Sequence, residues 1–233
     1  MSLPSMLIGC STCSYRASDA MAWGVREYLL DNGVRIGANR ELGWCHDCES
    51  IAAIESLDPK ECTADIIEAE AILHQPPPPK PAPVRFWQIS RWFESDTSPA
   101  FEEWESSQQR AQEKLDDARD LLAMLQTRKT PARCLSCGSE RVIAPLSETK
   151  MPYPEEGSSV PLGFIHPECG GELYRSNEGM RIAMRPTVSR YTSEGEFIEK
   201  FDIEGYSTPD GSYFEERRLS NMKIRDKASH SRS

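Results

Sequence analysis

The longest regular pattern of apolar positions in this chain lies between residues 99 and 128. Apolar or small side chains recur three and four residues apart, with one polar exception, at Phe101, Trp104, Gln108, Ala111, Leu115, Ala118, Leu122 and Leu125. This spacing predicts a helix from Ser98-Pro99 to about Arg128 with a heptad seam along one face. The seam predicts an intramolecular hairpin with an earlier helix, or a self-associating coiled coil. The hairpin is favoured because that earlier helix needs a partner.

The earlier helix is predicted from its start signal. Asp58 is placed to cap the helix, Pro59 suits its first position, and Glu61 can bond back to the cap. The helix is expected to end near Leu73. The prolines that follow predict a stiff linker over residues 76–84, and the aromatic segment RFWQISRWF at 85–93 predicts a small apolar anchor.

Alternating polarity replaces the helical period after Glu172. The apolar positions there are Leu173, then Met180, Ile182 and Met184, then Val188 and Tyr191, then Phe197, Ile198 and Phe201. Turn signals at 176–179 and 193–195 separate these runs, which predicts an antiparallel β-meander. Glycines within residues 1–57 indicate short strands and turns there as well.

Composition favours small modules over one large core. Only 38% of the 233 residues are hydrophobic, and 17 are proline. We therefore expect the following organisation: a first module at 1–57, a helix at 58–75, the Pro-rich linker at 76–84, the anchor and heptad helix at 85–130, a second module with the meander at 131–214, and a tail at 215–233.

Charge is distributed unevenly along the chain. The formal net charge is −10, which disfavours contact with phosphate backbones. The last residues are basic and are predicted to be disordered.

Leu7-Ile8-Gly9-Cys10 resembles a lipoprotein cleavage box, but it lacks a basic, apolar leader. No run reaches the roughly 20 apolar residues that span a bilayer. A cytoplasmic location is the expectation.

The cysteines allow two hypotheses. Trp44 ahead of Cys45 and Cys48 resembles a thioredoxin-like active site, but the preceding segment is polar and glycine-broken rather than a buried strand. Acidic residues beside these thiols would raise their pKa, which does not suit a nucleophile. The alternative is zinc, which prefers four thiolate or imidazole ligands in a tetrahedron.

The zinc hypothesis accounts for eight residues. One site is expected to combine Cys10 and Cys13 with Cys45 and Cys48, and the other to combine Cys134 and Cys137 with His166 and Cys169. Glycines after the second set suit the tight turns of such ligand pairs. His46 is interpreted as a surface histidine and Cys62 as a buried apolar residue.

These spacings resemble zinc ribbons, in which two ligand pairs at hairpin tips share one metal. The resemblance covers about residues 8–50 and 132–175 and implies two structural zinc ions held by the eight residues just named. Together with the helices and linker predicted above, which the resemblance does not cover, this gives an expected α+β fold: two zinc-ribbon-like β modules joined by the helical hairpin or coiled coil and the Pro-rich linker. Both spacers between ligand pairs exceed the roughly 12–20 residues common for such motifs. Ser14 and Glu49 replace the usual glycine.

A non-enzymatic adaptor is the expected function, because no catalytic motif is present. The protein partner, or a second copy of the chain, is expected to bind residues 101–125 or the β-sheet. Nucleic-acid binding is the alternative, using the tail and a basic strip of Arg175, Arg181, Arg185 and Arg190 beside Tyr174 and Tyr191. A redox switch in which oxidation ejects zinc is a third hypothesis.

Overall fold

The computed structural model describes residues 2–18, 24–79, 99–143, 154–179, 181–183, 187–203 and 212–230. These residues form three helices, α1 (Pro59–Leu73), α2 (Pro99–Thr127) and α3 (Ser212–His230). None of the three has the length and hydrophobicity that crossing a membrane requires. The described residues divide into two compact units, one of residues 58–126 and one of residues 1–57 with 127–233.

Thirteen short strands belong to the second of these units. They are β1 (Ser2–Pro4), β2 (Leu7–Cys10), β3 (Arg16–Ser18), β4 (Val25–Leu29), β5 (Arg35–Gly37), β6 (Arg40–Cys45), β7 (Ser50–Glu55), β8 (Val142–Ile143), β9 (Ser159–Ile165), β10 (Glu172–Ser176), β11 (Arg181–Ala183), β12 (Thr187–Thr192) and β13 (Phe197–Asp202). The fold is therefore mixed α+β, as expected, with several small sheets.

Long-range strand pairing organises this unit. One antiparallel sheet has the order β3-β2-β10-β9, and a second has the order β7-β6-β8. A third has the order β13-β12-β4-β5, in which β12 and β4 run parallel. Strands β1 and β11 form a separate antiparallel pair. Each sheet thus combines strands from the beginning of the chain with strands from its second half.

Buried carboxylates hold parts of this unit together. Glu27 is fully buried, and it accepts hydrogen bonds from Arg190 Nε at 2.8 Å and from the Tyr213 hydroxyl at 2.6 Å. Burial, followed by the nearby Glu27 charge, raises the pKa of Tyr213 to about 12. A buried charge costs folding free energy unless it is paired, so these bonds select one arrangement of the third sheet against α3.

Helices α1 and α2 pack as an antiparallel hairpin within the first unit. Ala69 of α1 packs with Ala111 and Leu115 of α2. Lys114 forms ion pairs with Asp65 and Glu68 across the two helices, at 2.9 and 2.6 Å. As the sequence predicts, the Asp58 side chain caps α1 by accepting from the Lys60 amide. Part of the apolar seam of α2 is thus covered by α1 of the same chain.

The second half of the predicted seam is displaced. Ala111, Leu115 and Ala118 are buried as expected, but the next buried positions are Leu121 and Met124 instead of Leu122 and Leu125. A strict heptad drifts against the 3.6-residue turn of a straight helix. The side chains that face inward therefore change along the 29 residues of α2.

The predicted disordered tail is corrected by the structure, since residues 212–230 form α3. The reason lies in polar contacts that hydropathy does not register. Asn221 is 3% exposed, and its side chain accepts from the Arg35 amide and donates to the Arg35 carbonyl, at 3.0 and 2.7 Å. Tyr213 packs with Val188 and Ile203. These contacts fix the helix on the edge strand β5.

The predicted meander is also corrected. Only β12 and β13 pair as an antiparallel hairpin, whereas β10 pairs with β2 and β9, and β11 pairs with β1. Alternation locates strands but does not name their partners. The aromatic segment at 85–93, the end of the linker, Met180, Met184 and Arg185 lie outside the described residues.

We expect Leu115→Ala to destabilise the hairpin by about 2–4 kcal/mol, because Leu115 is 4% exposed against α1. The matched control is Ile67→Ala in the same hairpin, where the side chain is 63% exposed and the expected change is below about 0.5 kcal/mol. Urea unfolding followed by the helical circular dichroism signal measures both. Equal midpoints for the two variants would contradict this packing.

Candidate metal centres

Four side chains from two distant segments of the chain form one group, here called the outer site: Cys10, Cys13, His166 and Cys169. The Cys10 and Cys169 sulfurs lie 3.4 Å apart, and His166 Nδ1 lies 3.4 Å from the Cys13 sulfur and 3.0 Å from the Cys169 sulfur. The imidazole therefore directs Nδ1 toward the three thiols. Its Nε2 is buried, with no hydrogen-bond partner among the described residues.

A second group, here called the inner site, consists of Cys45, Cys48, Cys134 and Cys137. The sulfurs of Cys45 and Cys137 lie 3.5 Å apart, and those of Cys48 and Cys134 lie 3.9 Å apart. Cys45 and Cys134 are buried, and Cys137 is exposed. The site therefore lies at the edge of the fold, with two thiols in its core.

The geometry of both groups fits a single metal ion. All four ligand atoms of each group lie within 4.8 Å of one another. Tetrahedral coordination with metal–sulfur bonds of about 2.3 Å places the sulfurs about 3.8 Å apart, close to the separations found here. Each group could therefore hold one ion with modest adjustment of its side chains.

Three of the four ligand pairs share a tight-turn geometry. Gly138 and Gly170, which follow Cys137 and Cys169, have φ angles of 78° and 72°. Glu49, which follows Cys48, has a φ of 49° and is the non-glycine residue with positive φ in the described chain. The position therefore has the conformation that glycine favours, although the sequence places glutamate there.

Backbone amides support one thiol in each site. The Thr12 amide donates to the Cys10 sulfur, and the Ser136 amide donates to the Cys134 sulfur, both at 3.4 Å. Each donor lies two residues after the sulfur it contacts. Such bonds stabilise the thiolate, which is the form that binds metal.

Strand pairing and one glycine bring the halves of the outer site together. Cys10 ends β2 opposite Leu173 of β10, and His166 follows directly after β9. A Cβ on Gly171 would lie only 2.5 Å from the Cys10 sulfur and 2.6 Å from Thr12 Oγ1. Only glycine therefore allows the two halves to approach this closely without a shift.

The inner site is assembled on a hairpin and a buried ion pair. Cys45 ends β6, and Cys48 lies in the turn to β7. Glu55, with a fully buried side chain, binds Arg128 at 2.6 Å and accepts the Arg133 amide at 2.9 Å. The Leu135 amide also donates to the Ala53 carbonyl. These bonds place Cys134 beside β7.

The pKa values of the thiols show that the cysteines in these groups do not all ionise equally readily. Burial by itself would raise the pKa of Cys10, but hydrogen bonds from the Thr12 and Cys13 amides lower it to about 6. Burial raises the pKa of Cys134 to about 11, and burial with the neighbouring thiols raises that of Cys48. Neighbouring thiolates repel one another, so full ionisation of a group needs a cation.

The structure corrects the predicted pairing of the ligand pairs. All eight predicted side chains lie in the two groups, but Cys10 and Cys13 meet His166 and Cys169, while Cys45 and Cys48 meet Cys134 and Cys137. The prediction joined ligand pairs in chain order. Strand pairing between β2 and β10 decides otherwise, and the result is nested, with the inner site formed by chain that lies between the halves of the outer site.

Two aromatic side chains beside the outer site were not predicted as part of it. His166 stacks on Tyr15 with ring centroids 4.9 Å apart, and it meets Trp44 edge to face at 4.8 Å. Trp44 is fully buried. The available signal was its position next to Cys45, since adjacent strand residues face opposite sides.

The other sequence hypotheses find different surroundings. The Cys45 and Cys48 pair lies between two strands, where no helix begins, so the thiols lack the helix N-terminus of a thioredoxin-type site. Burial raises the pKa of Cys62, which is 1% exposed. His46 lies outside both ligand groups.

Much of the predicted basic strip is used internally. Arg175 is 9% exposed and Tyr191 is 2% exposed. Arg190 forms ion pairs with Glu27 and Glu199, while Arg181 is exposed. Among the described residues, these arginines do not share one open face.

Comparisons with protein-family models, curated proteins and solved structures find no match to this chain. The two candidate metal sites therefore rest on the ligand spacing, the turns and the sulfur geometry described above.

We expect Gly171→Ala to remove one of two bound metal ions, because the new Cβ would overlap the Cys10 sulfur. Gly37→Ala is the matched control, since a Cβ at Gly37 meets no atom within 4 Å. Native mass spectrometry under reducing conditions counts the ions. Two ions retained in Gly171→Ala would contradict the close approach at the outer site.

Proposed function

We propose that this chain is a non-catalytic adaptor in which both sites hold structural zinc ions. The observation that carries the proposal is the completeness of the two ligand groups, each with four cysteine or histidine side chains. Catalytic zinc keeps a coordination position for water or substrate, whereas structural zinc is enclosed by four protein ligands. Four ligands in each group leave no such position.

Zinc suits these ligands better than the alternatives. Thiolate with imidazole, or four thiolates, in a tetrahedral arrangement is the usual environment of structural zinc. An iron–sulfur cluster attaches its cysteines to different iron atoms, which requires a wider ligand group than one confined to 4.8 Å. Mononuclear iron fits the same separations, and elemental analysis distinguishes it from zinc.

The metal ions would supply stability that the small sheets lack. One core cluster consists of Cys45, Ala52, Ile54 and Cys134, so two ligands make up half of its buried residues. The other site's cluster contains Cys10 with Ile8 and Trp44. Because binding free energy at such sites contributes directly to folding, the metals would hold together strands too short to form an independent core.

Chelation tests the structural role of the metals. We expect two zinc ions per chain by elemental analysis of the reduced protein. Removing them with a strong chelator should unfold the β-sheets, with loss of near-ultraviolet circular dichroism from Trp44. Restoring zinc should recover the signal. A chain that keeps its native spectrum without metal would contradict a structural role.

The surface that we propose for a partner is the edge of β13 to which none of the described strands pairs. Strand β13 is the last strand of its sheet, and its Phe197 and Ile198 side chains are 58% and 42% exposed. An edge strand with exposed apolar side chains can pair with an extended segment of another chain. The adaptor would thus bind a partner segment as an additional strand.

Charges along β13 favour a different protein over a second copy of this chain. Consider two copies of β13 paired antiparallel about a two-fold axis. Directly opposite side chains lie on the same face of the sheet, so one residue of the strand must lie opposite its own copy. The registers that pair five of the six strand residues therefore oppose Glu199 to Glu199 or Lys200 to Lys200. Like charges directly opposite are destabilising.

The same strand indicates the chemistry of the partner segment. Lys200 is exposed and lies on the same face as Ile198, two residues away. Glu199 is paired with Arg190. A complementary segment would place an acidic side chain opposite Lys200 and an apolar side chain opposite Ile198. We therefore propose an extended acidic and apolar segment as the occupant.

We expect Ile198→Asp to weaken the partner's affinity at least tenfold, or about 1.4 kcal/mol, because it removes apolar contact and places a charge opposite the acidic segment. Ile67→Asp, at an exposed site on α1, is the control. Affinity for the partner purified with the chain, and amide exchange over residues 197–202 in the complex, are the measurements.

Three outcomes would reject the proposed edge: an unchanged affinity in Ile198→Asp, a loss confined to Ile67→Asp, or unprotected β13 amides. Loss of binding on substitution along residues 101–125 would instead support the heptad face. Salt-sensitive binding of RNA or DNA would support the nucleic-acid alternative.

A further inference from the structure

Trp44 is the side chain through which the two sites meet. It precedes the inner-site ligand Cys45 in β6, and adjacent strand residues point to opposite faces. Cys45 accordingly belongs to the inner-site cluster, whereas Trp44 belongs to the cluster that contains Cys10. The indole lies 4.8 Å from the His166 ring, between centroids. Any displacement of Cys45 along β6 therefore acts on an outer-site ligand.

Tyr15 provides a second connection in the opposite direction. It follows the outer-site ligand Cys13 by two residues and stacks on His166 with an interplanar angle of 28°. Its hydroxyl accepts from the Ile51 amide at 2.9 Å and lies 3.1 Å from Ser50 Oγ. Residues 50 and 51 begin β7 directly after the inner-site turn. The outer ligand pair is thus hydrogen-bonded to the inner hairpin.

The nested order of the ligands adds a contribution from chain entropy. Cys13 and His166 are 153 residues apart. Closing the inner site joins Cys45 to Cys137. The chain path between the halves of the outer site, from Cys13 to Cys45 and from Cys137 to His166, is then about 60 residues long. Loop-closure entropy predicts that this shorter path makes closure of the outer site about fourfold more favourable in its equilibrium constant. Inner-site closure therefore favours outer-site closure even before side-chain packing is considered.

We infer that the two sites are energetically linked, so that a metal ion in the inner site raises the affinity of the outer site for its own ion. The inference rests on the proposed role of both groups as metal sites. Without an inner ion, strand pairing and the Glu55–Arg128 pair still join the two halves of the inner site, but the metal bonds between their cysteines are lost. Trp44 is then fixed less firmly against His166, and more of the free energy that orders the outer site must come from metal binding at that site itself. We expect at least a tenfold effect on outer-site affinity.

Cobalt(II) titration of the reduced, metal-free full chain tests this order. Tetrahedral Co²⁺ with four thiolates and Co²⁺ with three thiolates and one imidazole differ in their visible absorption, so the two sites are observed separately. In the natural sequence, the four-thiolate spectrum should develop first and the mixed spectrum second. Joint development of the two spectra would indicate still stronger linkage, because positive coupling draws in the second ion once the first is bound. Reversed filling would overturn the inference.

Cys137→Ser removes an exposed ligand of the inner site and is the direct test of linkage. The mixed-ligand spectrum should then require at least tenfold more Co²⁺ than in the natural sequence. Cys169→Ser, the corresponding change in the outer site, should leave the four-thiolate titration unchanged, because that step comes first. An outer-site affinity unchanged in Cys137→Ser would overturn the inference.

Milder variants keep the test valid if Cys137→Ser does not fold. Trp44→Leu and Tyr15→Phe remove the two connections but no ligand, and each should weaken outer-site binding while leaving inner-site affinity unchanged. Trp104→Phe, in the separate helical unit, is the control and should change neither. Equal losses at both sites in Trp44→Leu would indicate general destabilisation and overturn the specific link.

The experiment separates this inference from the proposed function. A folded chain that binds neither Co²⁺ nor Zn²⁺ would remove the metal function itself. A chain that binds two ions with independent affinities would retain the metal function and remove only the linkage.

Discussion

Each of two groups brings four cysteine or histidine ligand atoms within 4.8 Å of one another, and the larger unit of the protein is organised around this close approach. Thiolates at such distances repel one another, and burial penalises those of Cys10, Cys45 and Cys134. The pKa of Cys10 is lowered to about 6, while those of Cys134 and Cys169 are raised to about 11. A metal ion bound at each site would remove this conflict, because it would stabilise every thiolate of the group at once.

The rest of this unit brings distant chain segments together at the two ligand groups. Pairing of β2 with β10 closes the outer site, and the Glu55–Arg128 pair with its bonds to residues 133–135 positions Cys134 at the inner one. Replacing either partner of a buried pair leaves an uncompensated charge. Polar side chains such as Glu55 therefore act as positioning groups for ligands that they do not contact.

Other surfaces of the protein take no part in the two ligand groups. Neither the hairpin of α1 and α2 nor the edge of β13 contributes a ligand to the two groups. The surfaces that we propose for a partner are therefore separate from the candidate metal sites. The internal use of Arg175 and Arg190 accounts for two positively charged side chains that the sequence alone would assign to a binding face.

The sequence by itself determined the eight candidate ligands, the mixed α+β class, the Asp58 cap and the first part of the heptad seam. Each depends on spacing within a few residues, where turn and helix geometry constrain the backbone directly. Only the tertiary structure decided that Cys10 and Cys13 join His166 and Cys169, that Leu121 replaces Leu122 in the buried face, and that the basic tail forms α3. These outcomes depend on contacts between residues far apart in the chain, such as β2 with β10 and Asn221 with Arg35, and local patterns carry no information about which distant segment will supply the partner.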